Sequence, residues 1–581
     1  MLLQRTSYFS LIIGVVLALP AQATTPSKFV KKAEDVNPDP HIFETTLTAA
    51  PAQITLANGE EVTVFAYNGQ VPGPEIRVKE GDRVIVHFNN ELPAEYPSTI
   101  NWHGIELNNM SDGTPVTQAP VPTGESYTYD FIVPRGGNYW YHPHVRGAQT
   151  VNAGLYGPMI VKQPIERELM RENILPRKDK TIVLSDMSVV DGQLKDIEAT
   201  PTLETMNGTE GNHLLVNGRE NPTIHAKVGQ PIRLRLINTS ISRYYRLSIP
   251  GHTIYRVGGE GGLLSSVRVE GGPVMGMRMP MPMDMMDDDD SMDMGGDSMD
   301  MGMDMPMEEG YTGYTGPVMI DQGYDKGEIL LTPAQRADIV IVPQGEAGET
   351  ITVQWKDFAR GRHQMVMTPM GMMMTEADDD GLRPSIDLFK IKLHKAKKGH
   401  KAKKKARRWS EFTINEGDAL VANPGRLMAD RQDSQIKLQA NMMAMMSGMP
   451  KAKWFKIDDV SGISGRTNYR TAAIGETVKW ETHNHTDMHH PFHMHGFSFQ
   501  PTMFMTMHHD EGFMDMWMVN AENEYMDTVN IPPHTSSFYM FEVTERPDYA
   551  AEVGTLLGDG AEGDWVFHCH IFQHGENGMM S

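Results

Sequence analysis

The chain has 581 residues with a net charge of −23 at pH 7, and it contains 45 methionines but a single cysteine. At roughly 150 residues per domain, this length predicts about three to four globular units. The negative charge argues against a nucleic-acid partner, whose phosphates would repel the protein, and suits a protein that attracts cations.

The first residues have the pattern of a secretory signal peptide. Arg5 precedes an apolar run over residues 11–19, and Ala21-Gln22-Ala23 supplies the small residues of a cleavage site. The run is too short to cross about 30 Å of hydrocarbon, so we expect no stable membrane anchor. The sequence therefore predicts a signal peptide over residues 1–23 and an exported, periplasmic protein.

Beyond this segment, short alternating strands separated by turns predict an all-β chain built of β-sandwiches. The apolar alternation at residues 84–89 follows a Gly-containing turn, and the same sequence pattern recurs at residues 232–238 and 474–480. Such internal repetition predicts three related domains. Their expected boundaries are residues 41–165, 170–390 and 409–581.

Two segments interrupt this repetition. Residues 275–307 alternate Met with Asp, Gly and Pro, and residues 391–408 are strongly basic. Because neither segment can bury an apolar face, both are predicted to be loops or linkers. The first would be an insert in the second domain. The second would be a solvated linker between the second and third domains, which we favour over binding to an anionic surface or to the acidic Met-rich insert.

The histidines gather in four places along the chain. These are His103, His142-Pro-His144, His490-Pro-Phe-His493-Met-His495, and His568-Cys569-His570 with His574 and Met579 just beyond. On a strand, neighbouring side chains point to opposite faces, so His568 and His570 would project one way and Cys569 the other. One strand could therefore serve two metal sites.

The lone cysteine favours a metal because it cannot form an intramolecular disulfide and a free exposed thiol would be open to oxidation. A thiolate, two imidazoles and a weak axial thioether form the trigonal set of a blue-copper site, and Cys569, His490, His574 and Met579 supply such a set. The other histidines could hold several coppers that pool electrons for the reduction of oxygen. They are His103, His142, His144, His493, His495, His568 and His570. We expect this cluster between the first and third domains, with the middle domain as a spacer.

These motifs resemble those of the multicopper oxidases, and the chain order with its Met-rich insert is similar to bacterial periplasmic cuprous oxidases and copper-resistance protein A. The likeness covers roughly residues 50–581 and is carried by residues 67–74, 139–144, 490–496 and 568–574. It implies three cupredoxin-like Greek-key β-sandwich domains. It also implies a type 1 copper, a type 2 copper and a binuclear type 3 pair, up to four coppers per chain.

The sequence departs from the family pattern at two positions. Asn101 stands where the family has a histidine that binds the type 2 copper beside the equivalent of His493, and an amide oxygen is a poorer donor for copper than imidazole. The type 2 copper is therefore predicted to be weakly held, or its pocket to be completed by water. Gly575 stands where the family often has a proton-delivering glutamate, and Glu576, one position later, is the candidate for that role. Asp112 matches the family's acidic residue near the type 2 copper, and we favour a proton-relay role over that of a turn residue.

Methionine-rich segments recur at residues 275–307, 365–374, 442–449 and 503–518. Thioethers select Cu(I), and interleaved aspartates can take Cu(II). The first segment is too polar for a core, which favours copper capture there. For the other three segments, helix packing and copper capture remain equally open.

Together these features predict an exported multicopper oxidase that oxidises Cu(I), phenols or other small donors and reduces oxygen to water. Copper tolerance would be its purpose, and a copper-delivery partner would suit this role. The alternative is a copper-sequestering protein on an oxidase scaffold, in which Asn101 has disabled the reduction of oxygen.

Overall fold

The computed structural model describes residues 30–281, 313–368, 371–376, 382–395, 412–441, 444–445, 447, 449–463, 470–508, 511–519, 522–550 and 555–581. The predicted signal peptide lies outside the described residues, as do most of the Met-rich insert and of the basic run. None of the described helices is long and apolar enough to span a membrane.

The first unit is a sandwich of two four-stranded sheets, with strand orders β2-β1-β4-β6 and β3-β8-β7-β5. In β4 every second residue is buried, so that Val84, Val86 and Phe88 pack in the core between the sheets. A short helix, α1 (Gly147–Asn152), follows β7. The strands are β1 (Ile42–Thr55), β2 (Glu61–Tyr67), β3 (Ile76–Lys79), β4 (Arg83–Asn90), β5 (Asn101–His103), β6 (Ser126–Ile132), β7 (Gly137–His142) and β8 (Gly157–Lys162).

The second unit packs a six-stranded sheet, β12-β9-β14-β21-β16-β17, on a five-stranded sheet, β13-β25-β22-β15-β20. Its helices are α2 (Glu166–Glu172) and α3 (Thr202–Asn207). The strands are β9 (Asp179–Met187), β10 (Val189–Val190), β11 (Gln193–Leu194), β12 (His213–Val216), β13 (Thr223–Lys227), β14 (Ile232–Asn238), β15 (Tyr245–Ser248), β16 (Tyr255–Gly259), β17 (Gly262–Val269), β18 (Val274–Pro280), β19 (Gly316–Ile320), β20 (Glu328–Leu331), β21 (Arg336–Ile341), β22 (Thr350–Lys356), β23 (His363–Thr368), β24 (Gly371–Glu376) and β25 (Ile386–His394).

The third unit combines a large sheet, β19-β18-β32-β31-β34-β29-β27-β28 with β26 beside β29, and a small sheet, β33-β30-β37. Its helix α4 (Phe572–Glu576) follows β37. The strands are β26 (Arg431–Gln432), β27 (Ile436–Ala440), β28 (Phe455–Ile457), β29 (Thr477–Asn484), β30 (His490–Met494), β31 (Phe499–His508), β32 (Phe513–Met518), β33 (Thr528–Ile531), β34 (Thr535–Glu542), β35 (Pro547–Ala550), β36 (Thr555–Asp559) and β37 (Phe567–Cys569). The predicted all-β class with three sandwiches is confirmed, while the exact domain boundaries stay a prediction.

The described ends of both interrupting segments differ from the prediction of loops. Residues 274–280 form β18, which pairs with β32 of the third unit although its sequence lies in the second. Arg278 and Asp515 form an ion pair across this junction, at 2.7 Å. The basic run likewise begins inside β25, where Lys392 pairs with β13 and β22. Backbone pairing with an available sheet edge therefore outweighs the polar composition of these segments.

Helix packing is wrong for two of the other methionine-rich segments. Residues 503–518 contain the hairpin of β31 and β32, and residues 365–374 contain most of the hairpin of β23 and β24. In the remaining segment, residues 444–445 are helical, and Met445 is buried in the core of the third unit.

Candidate metal centre

His568 and Cys569 end β37, and His570 follows directly after the strand. β37 pairs with β30, which carries His490 and His493. Antiparallel pairing sets Cys569 opposite Phe492 and His568 opposite His493. Cys569 is fully buried, and its Sγ lies 3.3 Å from Nδ1 of His490 and 3.7 Å from Nδ1 of His574. These three side chains thus form one compact donor set.

The outer nitrogens of both imidazoles in this set are held by hydrogen bonds. His574 Nε2 donates to the carbonyl oxygen of Met206, at 2.7 Å, and His490 Nε2 lies 2.7 Å from Thr486 Oγ1. A nitrogen that donates a hydrogen leaves its ring partner with a lone pair, so both Nδ1 atoms are free to bind a metal beside the sulfur. Because Met206 belongs to α3, the middle unit does more than space the other two.

Burial sets the protonation of this donor set. It raises the pKa of the Cys569 thiol and lowers the pKa of His574 to about 3, so that the imidazole is neutral. A bound cation reverses the preference of the thiol, because a coordinating sulfur is deprotonated. Met579 is also buried, and its carbonyl oxygen accepts the Cys569 N–H at 3.1 Å, which places it next to the sulfur-bearing residue.

The remaining histidines form two further trios at the junction of the first and third units. Within each trio the ligand atoms lie within 4.8 Å of one another. One trio is His103, His142 and His570; the other is His144, His495 and His568. Cys569 belongs to the first donor set, His570 to the first trio and His568 to the second trio. The sequence His568-Cys569-His570 therefore connects the donor set to both trios.

The second trio has nitrogens facing one another without a hydrogen between them. His568 Nδ1 donates to the Cys569 carbonyl oxygen at 2.9 Å, and His495 Nδ1 lies 3.1 Å from an oxygen of the Asp112 carboxylate. Both Nε2 atoms therefore carry lone pairs, yet they are only 3.1 Å apart. A cation between them would turn this repulsion into ligation.

In the first trio, His142 and His103 each have one ring nitrogen with a hydrogen-bond partner, the outer nitrogen, and one without, the inner nitrogen. His142 Nδ1 contacts the Pro143 carbonyl oxygen at 2.9 Å, and His103 Nε2 contacts Asp527 Oδ1 at 3.0 Å. The opposite nitrogens, together with both of His570, are buried without a hydrogen-bond partner among the described residues. Anchored outer nitrogens and unpartnered inner ones are the arrangement of metal-bound histidines, so the residues fit a metal cluster.

Asn101 is held so that its oxygen stays available. Its Nδ2 donates to the Asp112 carbonyl oxygen at 2.8 Å, which fixes the orientation of the amide. Its Oδ1 is buried without a partner in the described part of the chain, as is Nε2 of His493. One oxygen and one nitrogen donor thus remain beside the two trios.

The two residues predicted to carry protons lie in different surroundings. Asp112 is 2% exposed and bonded to His495, at the cluster. Glu576 is exposed as a residue, but burial of its carboxyl group raises the pKa to about 7, and its carboxylate accepts the Ala148 N–H at 3.0 Å. No hydrogen bond joins it to a histidine of the described structure. A side chain at Gly575 would begin 3.6 Å from His568 Nδ1, so position 575, not 576, faces the cluster.

Sequence reasoning missed a buried acid that links the cluster to the second unit. Asp527 accepts from His103, its carbonyl oxygen lies 2.8 Å from His493 Nδ1, and its carboxylate pairs with Arg336 of β21 at 2.7 Å. Glu260 accepts the Asp527 N–H at 2.9 Å. No local motif marks Asp527, because its partners come from distant parts of the chain.

Sequence models of the multicopper oxidases match residues 48–166, 178–271 and 435–581, which together are more than half of the chain. A multicopper oxidase, MmcO, of Mycobacterium tuberculosis is 35% identical over 36% of this chain and 45% of its own length. Laccase-2 of Cryptococcus neoformans is 32% identical over 40% of this chain and 42% of its own. The chain thus spans less than half the length of these curated relatives.

Solved structures show the same fold over nearly the whole chain. A multicopper oxidase of Campylobacter jejuni, described as a metallo-oxidase, has a TM-score of 0.67 at 21% identity and covers 97% of this chain and 95% of its own. The laccase-like multicopper oxidase CueO of Ochrobactrum sp. has a TM-score of 0.64 at 17% identity and covers 95% of this chain and 98% of its own. With the three matching sequence models and the donor sets around β37, these likenesses lead to one conclusion: the chain belongs to the multicopper oxidase family.

Proposed function

We propose that this protein couples the one-electron oxidation of a donor to the four-electron reduction of oxygen to water. The observation that carries the proposal is β37, which gives Cys569 to one donor set and its neighbours to two others. Adjacent residues are about 3.8 Å apart at their Cα atoms, so a short covalent path joins electron entry to the oxygen-facing cluster. Copper, when bound, supplies the redox chemistry; the chain supplies ligands, path and a buried site.

The donor sets assign the ligands. Cys569, His490, His574 and Met579 would hold the type 1 copper, and the two histidine trios would hold the type 3 pair. His493 Nε2 and Asn101 Oδ1 would hold the type 2 copper, where the amide oxygen is the weaker donor. Asp112 would orient His495 and hold or release a proton beside the cluster.

The arrangement of methionines supports Cu(I) as a donor. Direct cross-strand partners share one face of a sheet, and the pairs Met503–Met518, Met505–Met516 and Met507–Met514 are such partners. β18 extends this face through Met277, opposite Met516, and Met279, opposite Met514. The methionine face comprises Met275, Met277, Met279, Met281, Met319, Met503, Met505, Met507, Met514, Met516 and Met518.

Exposure divides the methionine face into two parts. Met505, Met507 and Met514 are buried and pack against Phe538, which is ordinary core packing. Met275 is 70% exposed and Met518 45% exposed, and neither contributes to a core. Exposed thioethers on a regular sheet offer soft donors to Cu(I) from solvent.

The opposite face of the same sheet supports small organic donors. Phe504, Asp515 and Trp517 of that face line a cavity of about 560 Å³. This size is in the range of about 300–1,000 Å³ that small-molecule sites occupy. The cavity reaches His489, the neighbour of His490, so a phenol bound there would sit close to the type 1 ligands.

A triple variant of the exposed methionines tests the preference for Cu(I). Leucine conserves volume, so Met275→Leu, Met277→Leu and Met518→Leu together should preserve the fold and remove soft donors. We expect the KM for Cu(I) to rise while the KM for 2,6-dimethoxyphenol stays unchanged. Met428→Leu is the matched control because Met428 is 80% exposed and lies outside the methionine face. Equal loss with both donors would count against Cu(I) as the favoured donor.

We further propose that the protein is exported to the periplasm, contributes to copper tolerance there and receives copper from a delivery partner. The N-terminal sequence pattern and the methionine face support this role. Loss of copper tolerance in a deletion strain, restored by the wild-type protein but not by Cys569→Ser, would test it. Tolerance restored equally by both would instead indicate sequestration.

Asn101 favours a second candidate function, copper sequestration without turnover. A type 2 site with one imidazole binds copper weakly, and the cluster could then hold metal without reducing oxygen. Oxygen uptake with Cu(I) as donor separates the two functions. Sustained uptake supports the oxidase, whereas stoichiometric copper binding without uptake supports sequestration.

A further inference from the structure

Four arginines of the middle unit form a cluster beside His489, next to the Cys569 donor set. Arg243 and Arg360 are buried, whereas the Arg383 side chain is 40% exposed. Arg243, Arg360 and Arg383 all pair with Glu210, at 3.1, 2.9 and 2.6 Å. Arg362 and Arg383 also pair with Asp357, at 2.6 and 2.9 Å, and Arg243 pairs with Asp186 at 2.8 Å. This arginine cluster therefore holds four guanidinium groups and three carboxylates.

Two carboxylates of the arginine cluster, Glu210 and Asp357, stay ionised. Burial alone would raise the pKa of Glu210, but Arg243, Arg360 and their neighbours lower it to about 2. The same balance of burial against arginine contacts holds the pKa of Asp357 below its ordinary value. Guanidinium groups remain charged at all ordinary pH values. One positive charge is thus left over in the arginine cluster.

Arg360 is the member of the arginine cluster closest along the hydrogen-bond network to the donor set. It is 1% exposed, and its carbonyl oxygen accepts the N–H of His489, the residue before His490, at 3.0 Å. Its Nη2 binds Glu210, whereas Nε and Nη1 have no hydrogen-bond partner among the described residues. Its guanidinium lies 5.5 Å from the ring centre of Tyr244, whose hydroxyl donates to the His489 carbonyl oxygen at 3.3 Å.

The charge of Arg360 acts on every side chain of the donor set. Burial is the largest influence on the pKa of His574, and Arg360 lowers that pKa further. Arg360 likewise lowers the pKa of His490, after burial and the neighbouring histidines, and opposes the effect of burial on Cys569.

We propose that Arg360 raises the reduction potential of the type 1 copper through its buried charge, without touching the metal. Taking one electron from the donor converts Cu(II) to Cu(I) and removes one positive charge from the site. A nearby cation in a poorly solvated interior therefore destabilises Cu(II) more than Cu(I). A higher potential lets the site accept electrons from weaker reductants. The inference rests on the proposed type 1 copper but not on the identity of the donor.

Redox titration of the copper-loaded protein, followed by its blue absorption, tests the proposal. We expect Arg360→Gln to shift the Cu(II)/Cu(I) equilibrium toward Cu(II) by roughly tenfold, which for one electron is a fall of about 59 mV. Arg360→Lys keeps the charge and should keep most of the potential. Arg362→Gln is the matched control, because Arg362 pairs with the same Glu210, at 3.6 Å, but its side chain is 18% exposed and therefore better screened by solvent.

Two outcomes overturn the proposal. One is an unchanged potential in Arg360→Gln with its blue band and electron-spin spectrum intact. The other is an equal fall in Arg362→Gln, which would indicate a general structural effect. Should Arg360→Gln not bind copper, Glu210→Gln decides, because loss of a negative charge should raise the potential; no rise there would overturn the proposal. Absence of a blue band in the wild-type protein would instead refute the proposed function.

Discussion

The Cys569 donor set and the region around Asn101 lie at opposite ends of the proposed electron path, and they differ in the donor atoms that they offer to a metal. Around Cys569 a sulfur meets two imidazoles whose outer nitrogens are both anchored. Beside the two trios, Asn101 Oδ1 and His493 Nε2 are buried without a hydrogen-bond partner among the described residues. The proposed type 1 site therefore has three strong donors, whereas the proposed type 2 site includes one weak donor, the Asn101 amide oxygen. Family membership alone does not fix how many coppers a chain holds.

The largest effect is expected at the Cys569 donor set. Cys569→Ser replaces a soft thiolate with a poor copper ligand, so we expect loss of the blue absorption, loss of turnover and one copper fewer per chain. The histidine trios should keep their copper, because the cysteine side chain is not part of them. Metal analysis and visible spectroscopy check this. If the variant keeps its blue band, Cys569 is not the ligand responsible for that absorption.

Asp112 should show the next largest effect. Asp112→Asn replaces the carboxylate that accepts from His495 Nδ1, and such outer partners of metal-bound histidines are worth about 10–100-fold in affinity or activity. We expect turnover to fall within that range while the blue absorption is unchanged. Oxygen uptake and the visible spectrum, measured on the same sample, check both halves. A shifted blue band would show that the two ends are not independent.

Asn101 offers the direct way to remove the difference between the two regions. Asn101→His supplies the missing imidazole, and we expect type 2 copper to be retained about tenfold better against a chelator, or roughly 1.4 kcal/mol. Asn101→Leu removes the remaining oxygen donor and should abolish the type 2 electron-spin signal. If wild-type protein and Asn101→Leu retain type 2 copper equally, the amide oxygen is not a ligand.

The smallest effect is expected at Glu576. Its carboxylate bonds to Ala148 and not to the cluster, so Glu576→Gln should leave copper content unchanged and alter stability by about 0.5 kcal/mol or less. Turnover compared with Asp112→Asn tests its predicted proton-relay role. A fall as large as that of Asp112→Asn would place Glu576 in proton delivery after all.

Much of this architecture could be predicted from local patterns. The alternation at residues 84–89 predicted a strand with one buried face, and β4 has that form because successive strand residues point to opposite faces. The same rule applied to His568, Cys569 and His570 predicted that one strand would serve two metal sites. In the structure Cys569 joins one donor set, while His568 and His570 join two separate histidine trios. Helix packing at residues 503–518 was wrong because periodicity is weak where methionine occupies so many positions.

Other features had no signal in the sequence because they arise from contacts between distant segments. Met206, Asp527 and Arg360 carry no motif, yet each holds or influences a histidine or cysteine of the site. The pairing of β18 with β32 likewise depends on a sheet edge that only the folded third unit provides.

The sequence by itself thus determined the strands and the donor atoms, since side-chain chemistry and strand alternation are local properties. Only the tertiary structure decided the orientation of each imidazole, the anchoring of Asn101 and the charge beside Cys569. Hydrogen bonds and electrostatic fields act through space, between residues that the chain order keeps far apart.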